Sequence, residues 1–118
     1  MVVEVKDGKQ FNEYIAKNRI VLIALLSPLR ASEKGYVMRL LSIIEEESVP
    51  TIYTALYLKP SSSKTDVTVA INLYLDGECI FSQEGLFGHL ENDLMALKRG
   101  IREVLKNRMV QMKFVKRG

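Results

Sequence analysis

Arg30 and Glu33 stand three residues apart in a turn that follows the unbroken apolar run Ile20–Leu26. A seven-residue apolar run without alternation suits a strand buried on both faces of an α/β sheet, and the turn after such a strand is a usual seat of chemistry. Ser27-Pro28 opens helices readily, so Arg30 and Glu33 fall in a first helical turn, where they can pair with each other. The turn contains no nucleophile, no metal-ligand cluster and no glycine-rich phosphate loop. It is therefore either a solvated first turn or a binding surface. The remaining reactive side chains are solitary. Cys79 is the single cysteine; it falls in the returning strand of a hairpin, without a helix N-terminus to lower its pKa, and is expected to pack as a small hydrophobe. His89 is the single histidine and precedes the last helix beside Glu91 and Asp93. Three such groups could hold a metal, but acids at a helix start are routine and no metal is expected. Tyr53, Tyr57 and Tyr74 lie on strands and are expected in the core rather than stacked on bases. No catalytic constellation is visible, so neither an enzyme nor a cofactor is expected.

The elements that must position these residues follow from periodicity. Residues 2–5 form a short strand closed by Asp7-Gly8, and Phe11, Tyr14 and Ile15 recur at helical spacing up to Asn18. The apolar strand follows, and then Val37, Leu40, Leu41 and Ile44 make a helical stripe that Pro50 ends. Gly35 near its start implies either a bend or a late onset of regular helix. Residues 51–58 are rich in β-branched and aromatic side chains, as a third strand would be. The polar run 59–66 separates it from the clearest strand of the chain, residues 67–75, which alternates strictly. Asp76-Gly77 signals a hairpin returning through residues 78–83, and Leu90, Leu94, Leu97, Ile101 and Leu105 define a long final helix. The tail from Met109 alternates weakly at Val110, Met112 and Phe114, so it either adds an edge strand or frays.

At 118 residues with 47% hydrophobic and 26% charged side chains, the chain suits one domain with its own core. No stretch approaches the ~18 apolar residues of a membrane span, nothing resembles a secretory signal, and a lone cysteine makes no internal disulfide. A cytoplasmic protein without membrane association is expected. The net charge of +3 hides an asymmetry: residues 1–97 carry nine Lys/Arg against thirteen Asp/Glu, a net of −4. Residues 98–118 carry eight basic residues against Glu103 alone, a net of +7. Lys98, Arg99, Arg102 and Lys106 lie on the last helix, and Arg108, Lys113, Lys116 and Arg117 beyond its apolar stripe. A basic helix end complements the helix dipole, or it marks an anionic partner such as nucleic acid.

This order of elements resembles the thioredoxin-like fold over roughly residues 2–107. Two stretches carry the resemblance: Leu73-Tyr74-Leu75-Asp76-Gly77-Glu78 with Gly85 beyond it, similar to the family's hairpin and following glycine, and residues 21–34, which lie without a gap on its strand and active-site turn. The resemblance implies a mixed central sheet of order 1-3-2-4-5 with helices on both faces, the helix between the third and fourth strands being replaced by residues 59–66. It places Arg30-Ala31-Ser32-Glu33 on the family's Cys-x-x-Cys motif, with Lys34 on the basic residue that often follows. Ala24 falls where the family has a buried acid, and Val69 near its cis-proline. Every group of the dithiol chemistry is thus absent. The expectation is a redox-inactive thioredoxin-like domain, residues 1–108, with a basic tail, residues 109–118, that acts as a binding module or subunit for a protein partner or for a second copy. The family's groove would correspond to Leu29, Arg30 and Glu33 on the turn, Thr68 and Val69 at the strand start, and Gly85, Leu86 and Phe87 in the loop before the last helix. A nucleic-acid-associated protein using residues 98–118 is the alternative.

Overall fold

A computed structural model of the chain describes residues 1–58 and 69–116. The elements are β1 (Val3–Val5), α1 (Gly8–Lys17), β2 (Ile20–Leu26), a 3-10 turn (Pro28–Glu33), α2 (Lys34–Glu47), β3 (Ser48–Val49), β4 (Tyr53–Leu58), β5 (Val69–Leu75), β6 (Glu78–Glu84), α3 (Leu90–Asn107) and β7 (Lys113–Phe114). Five strands form one sheet in the order β1-β4-β2-β5-β6. This is the expected 1-3-2-4-5 arrangement once the two-residue β3 is set aside. β4 runs parallel to both β1 and β2, whereas β5 is antiparallel to β2 and β6 to β5.

The unbroken apolar character of β2 has its cause in two-sided burial. Leu22, Ala24 and Leu26 face a core shared with Val37, Leu40, Leu41 and Ile44 of α2 and Leu97, Ile101 and Leu105 of α3. Val21 and Ile23 face the opposite layer, where Phe11, Tyr14 and Ile15 of α1 pack. Asp7 caps α1, its carboxylate accepting the Gln10 N–H at 2.8 Å, and the Tyr14 hydroxyl donates to the Thr54 carbonyl at 2.9 Å, tying the helix to β4. Tyr57 and Tyr74 are half-buried around Phe11, with ring centroids 5.7 Å away in each case. Tyr53 departs from its expected core position and is 44% exposed, since it lies at the start of β4.

The Asp76-Gly77 hairpin has φ of +51° and +85°, the two left-handed residues that a two-residue turn of this hand needs. Regular α-helix begins only at Lys34, because a 3-10 turn precedes it; Gly35 therefore sits in a first turn and bends nothing. The expected 59–66 loop lies outside the described residues. The tail does form a strand, but not on the main sheet. β7 pairs with β3, the Val115 N–H donates to the Glu47 carbonyl at 2.7 Å, and Val110 is buried against the α2/α3 core.

Candidate interaction site

β2 ends opposite the start of β5, with Leu26 across from Val69, and Ala70 lies across from Glu84 at the end of β6. The turn after β2, the start of β5 and the Gly85 loop therefore lie at one end of the sheet. The Gly85 N–H donates to the Val69 carbonyl at 2.7 Å, and Gly85 itself has φ of +78°, a conformation that favours glycine.

In the turn, Pro28 occupies the first 3-10 position and the Arg30 N–H donates to the Ser27 carbonyl at 2.9 Å. Arg30 and Glu33 meet as expected for an i, i+3 pair. The Arg30 Nη2 donates to Glu33 Oε1 at 2.8 Å, and Nε donates to the other carboxylate oxygen. This forked contact holds the Glu33 carboxyl below the usual carboxylate range and pushes the Arg30 guanidinium up. Leu29 beside them is 52% exposed.

The Gly85 loop is anchored by a residue whose role the sequence does not announce. Asp93 is fully buried in the first turn of α3; its Oδ1 accepts the Phe87 N–H at 2.8 Å and its Oδ2 the Gly88 N–H at 3.2 Å. The Tyr36 hydroxyl of α2 donates to the same Oδ2. One carboxylate thus joins α2, α3 and the loop. Burial, with the Asp93 carboxylate next, pushes the Tyr36 phenol up from 10.0 to about 12. A raised folded-state pKa adds stability that is whole below pH ~10 and is lost as pH rises toward ~12. Tyr36→Phe should accordingly remove the last-ionising tyrosine from a spectroscopic titration and flatten the loss of stability over that window. An unchanged final step would mean that this hydroxyl does not face the carboxylate.

With its backbone drawn inward, Phe87 points its ring outward, 72% exposed, toward Asn92 and Met95 of α3, while Leu86 packs on the core. Of the residues expected to form a groove, Val69 is buried at 3% exposure and offers only its backbone, and Thr68 lies outside the described residues. Leu29 and Phe87 are the exposed apolar members.

The basic residues separate by use. Lys98 pairs with Glu47 and lies 5.4 Å from the Phe114 ring centre, and Arg102 lies 5.8 Å from the same centre. Arg108 reaches Glu78 at 3.2 Å. Arg99 and Lys106 are exposed on α3, Lys113 and Lys116 on the tail, and Arg117 lies outside the described residues. Cys79 is exposed, which corrects its expected packing: β6 is the edge strand, and Tyr74, its partner across the ladder, belongs to the face that α1 alone covers. Among the described residues no three His, Cys, Asp or Glu side chains gather as a metal site, and no helix is long and apolar enough to cross a membrane.

The sheet order, the turn after β2 and the glycine loop before α3 together define a thioredoxin-like fold, divergent in lacking both cysteines of the motif and the cis-proline before the Val69 strand. Solved structures similar to this chain include thioredoxins. Thioredoxin f2 of Chlamydomonas reinhardtii superposes with a TM-score of 0.60 at 14% identity, covering 87% of this chain and 95% of its own. A mutant thioredoxin from Halobacterium salinarum gives 0.55 at 14% identity, with 84% and 89% covered. Plasmodium falciparum thioredoxin gives 0.54 at 10% identity, with 86% and 97% covered. No protein-family model and no curated protein matches the sequence.

Proposed function

We propose that this chain is a thioredoxin-like domain without dithiol chemistry that works by binding a protein partner. The observation that carries the reading is the turn itself: the side chains at the positions of the family's two cysteines, Arg30 and Glu33, are joined to each other by a forked ion pair. A surface remains beside it, with Leu29 exposed on the turn and Phe87 exposed on a loop that Asp93 fixes. The sole cysteine is on the far side of the hairpin in β6 and has no second thiol with which to cycle.

An insulin disulfide-reduction assay tests the chemical half of this reading. The protein should not exceed the uncatalysed thiol background, and Cys79→Ser should behave identically. Turnover above background that Cys79→Ser abolishes would overturn it. The nucleic-acid alternative draws on Arg99, Arg102 and Lys106, but Lys98 and Arg108 are already engaged with Glu47 and Glu78. Phosphate contacts would make binding fall steeply with salt, which an interface anchored by Leu29 and Phe87 would not.

A further inference from the structure

We propose that the outward face of α3 docks an acidic segment of a partner protein carrying apolar anchors; this rests on the reading of the chain as a binding domain and names the chemistry of what it binds. Two shallow grooves of about 590 and 500 Å3 share Arg102 as a common wall. The first lies between Phe87, Met95 and Arg99, and the second between Lys106, Met109 and Met112. Together they follow the helix from Met95 to its end at Asn107, about 18 Å at 1.5 Å per residue, and continue onto Met109 just beyond it.

Three observations point to the occupant. Met95 and Met109 are 70% and 93% exposed, and with Phe87 they put apolar area at both ends of the face. Unbranched, polarizable methionine side chains are suited to gripping apolar anchors. Between them lie Arg99, Arg102 and Lys106, and among the described residues no carboxylate pairs with any of the three. Glu103 stands four positions after Arg99 and three before Lys106, at the edge of this face, and pairs with neither; Glu91 stands at the far end, in the first turn. The third observation is conformational. Met109, just past the Arg108 cap of α3, has φ of +60°, the left-handed position at which glycine is preferred, while the Val110 N–H donates to the Leu105 carbonyl at 2.8 Å and the Met109 N–H to the Lys106 carbonyl at 3.0 Å. A methionine held there, almost wholly in solvent, contributes nothing to the cap that glycine would not do better.

The face therefore presents positive charge flanked by apolar ends. Its complement is a short acidic stretch flanked by apolar side chains, about six residues if extended. Nucleic acid fits less well, because Phe87 is the one aromatic plane this face offers for stacking and the two methionines beside the cations offer none. A membrane surface fits less well too, because the apolar residues are separated by charge instead of forming a continuous band.

Selection of a displayed random 12-residue peptide library on the intact protein tests the proposal. Enriched peptides should carry Asp or Glu between apolar residues. They should weaken at least about tenfold on Arg99→Glu with Lys106→Glu, two exposed residues outside the core, and also on Met95→Ser, with melting temperatures unchanged. Enriched peptides without acidic residues, or equally strong binding to the charge-reversed protein, would overturn it. So would the absence of any enriched peptide. If the selected peptides are lost on Leu29→Asp instead, the α3 face is wrong while the binding reading stands. Binding of oligothymidylate or phosphatidylserine vesicles to this face in place of any peptide would likewise overturn it, as would self-association that the charge reversal abolishes.

Discussion

Asp93→Ala is expected to lower the unfolding free energy by about 3 kcal/mol, among the larger effects of a single substitution outside the apolar core. The carboxylate is fully buried and accepts from Phe87 N, Gly88 N and the Tyr36 hydroxyl, so its removal orphans three donors at once. Charged acceptors make the stronger hydrogen bonds, and each buried donor left without a partner costs about 1–3 kcal/mol unless water reaches it. Asp93→Asn keeps one acceptor oxygen and should cost less, while Tyr36→Phe removes a single donor and should cost least, about 1 kcal/mol. Chemical denaturation of the three variants should give that order. Equal losses for Asp93→Asn and Asp93→Ala would show that charge, and not the hydrogen-bond count, holds the loop.

Ending the chain after Met109 is expected to cost about 2–4 kcal/mol, although composition alone makes residues 110–118 look like a detachable basic tail. Val110 is buried at 8% exposure against Leu105 and completes the C-terminal cap of α3. Phe114 is half-buried beneath Lys98 and Arg102, and β7 gives β3 its only ladder partner among the described residues. Thermal melting of the truncated chain checks this. A melting temperature equal to that of the full chain would show that the domain is complete without the strand.

The helices and the longer strands were legible because each rests on a periodic signal several residues long, the hairpin because Asp76-Gly77 is a turn signal, and the strand order only through the resemblance to the thioredoxin-like fold. The stripe Val37, Leu40, Leu41, Ile44 is the buried set of α2, and the apolar run of β2 is buried on both faces. The β3/β7 ladder was not legible, since two-residue strands carry no period. Asp93 was hidden for another reason. An acid in a helix's first turn has the same local sequence whether it meets solvent or turns inward, and only Tyr36, fifty-seven positions away, decides between them. Cys79 is exposed against expectation because strand propensity does not distinguish an edge from a centre. At the candidate site the paired Arg30 and Glu33 followed from their spacing, whereas the opposite fates of Leu86 and Phe87 depend on how Asp93 draws in the loop backbone.

Affinity capture from extract of the source cell, with wild type and Cys79→Ser in parallel and elution first without and then with reductant, tests most directly whether this domain binds without redox chemistry. A protein partner recovered equally by both baits and released without reductant is the result expected. Recovery that depends on Cys79 and release only by reductant would reveal a mixed disulfide and contradict the account.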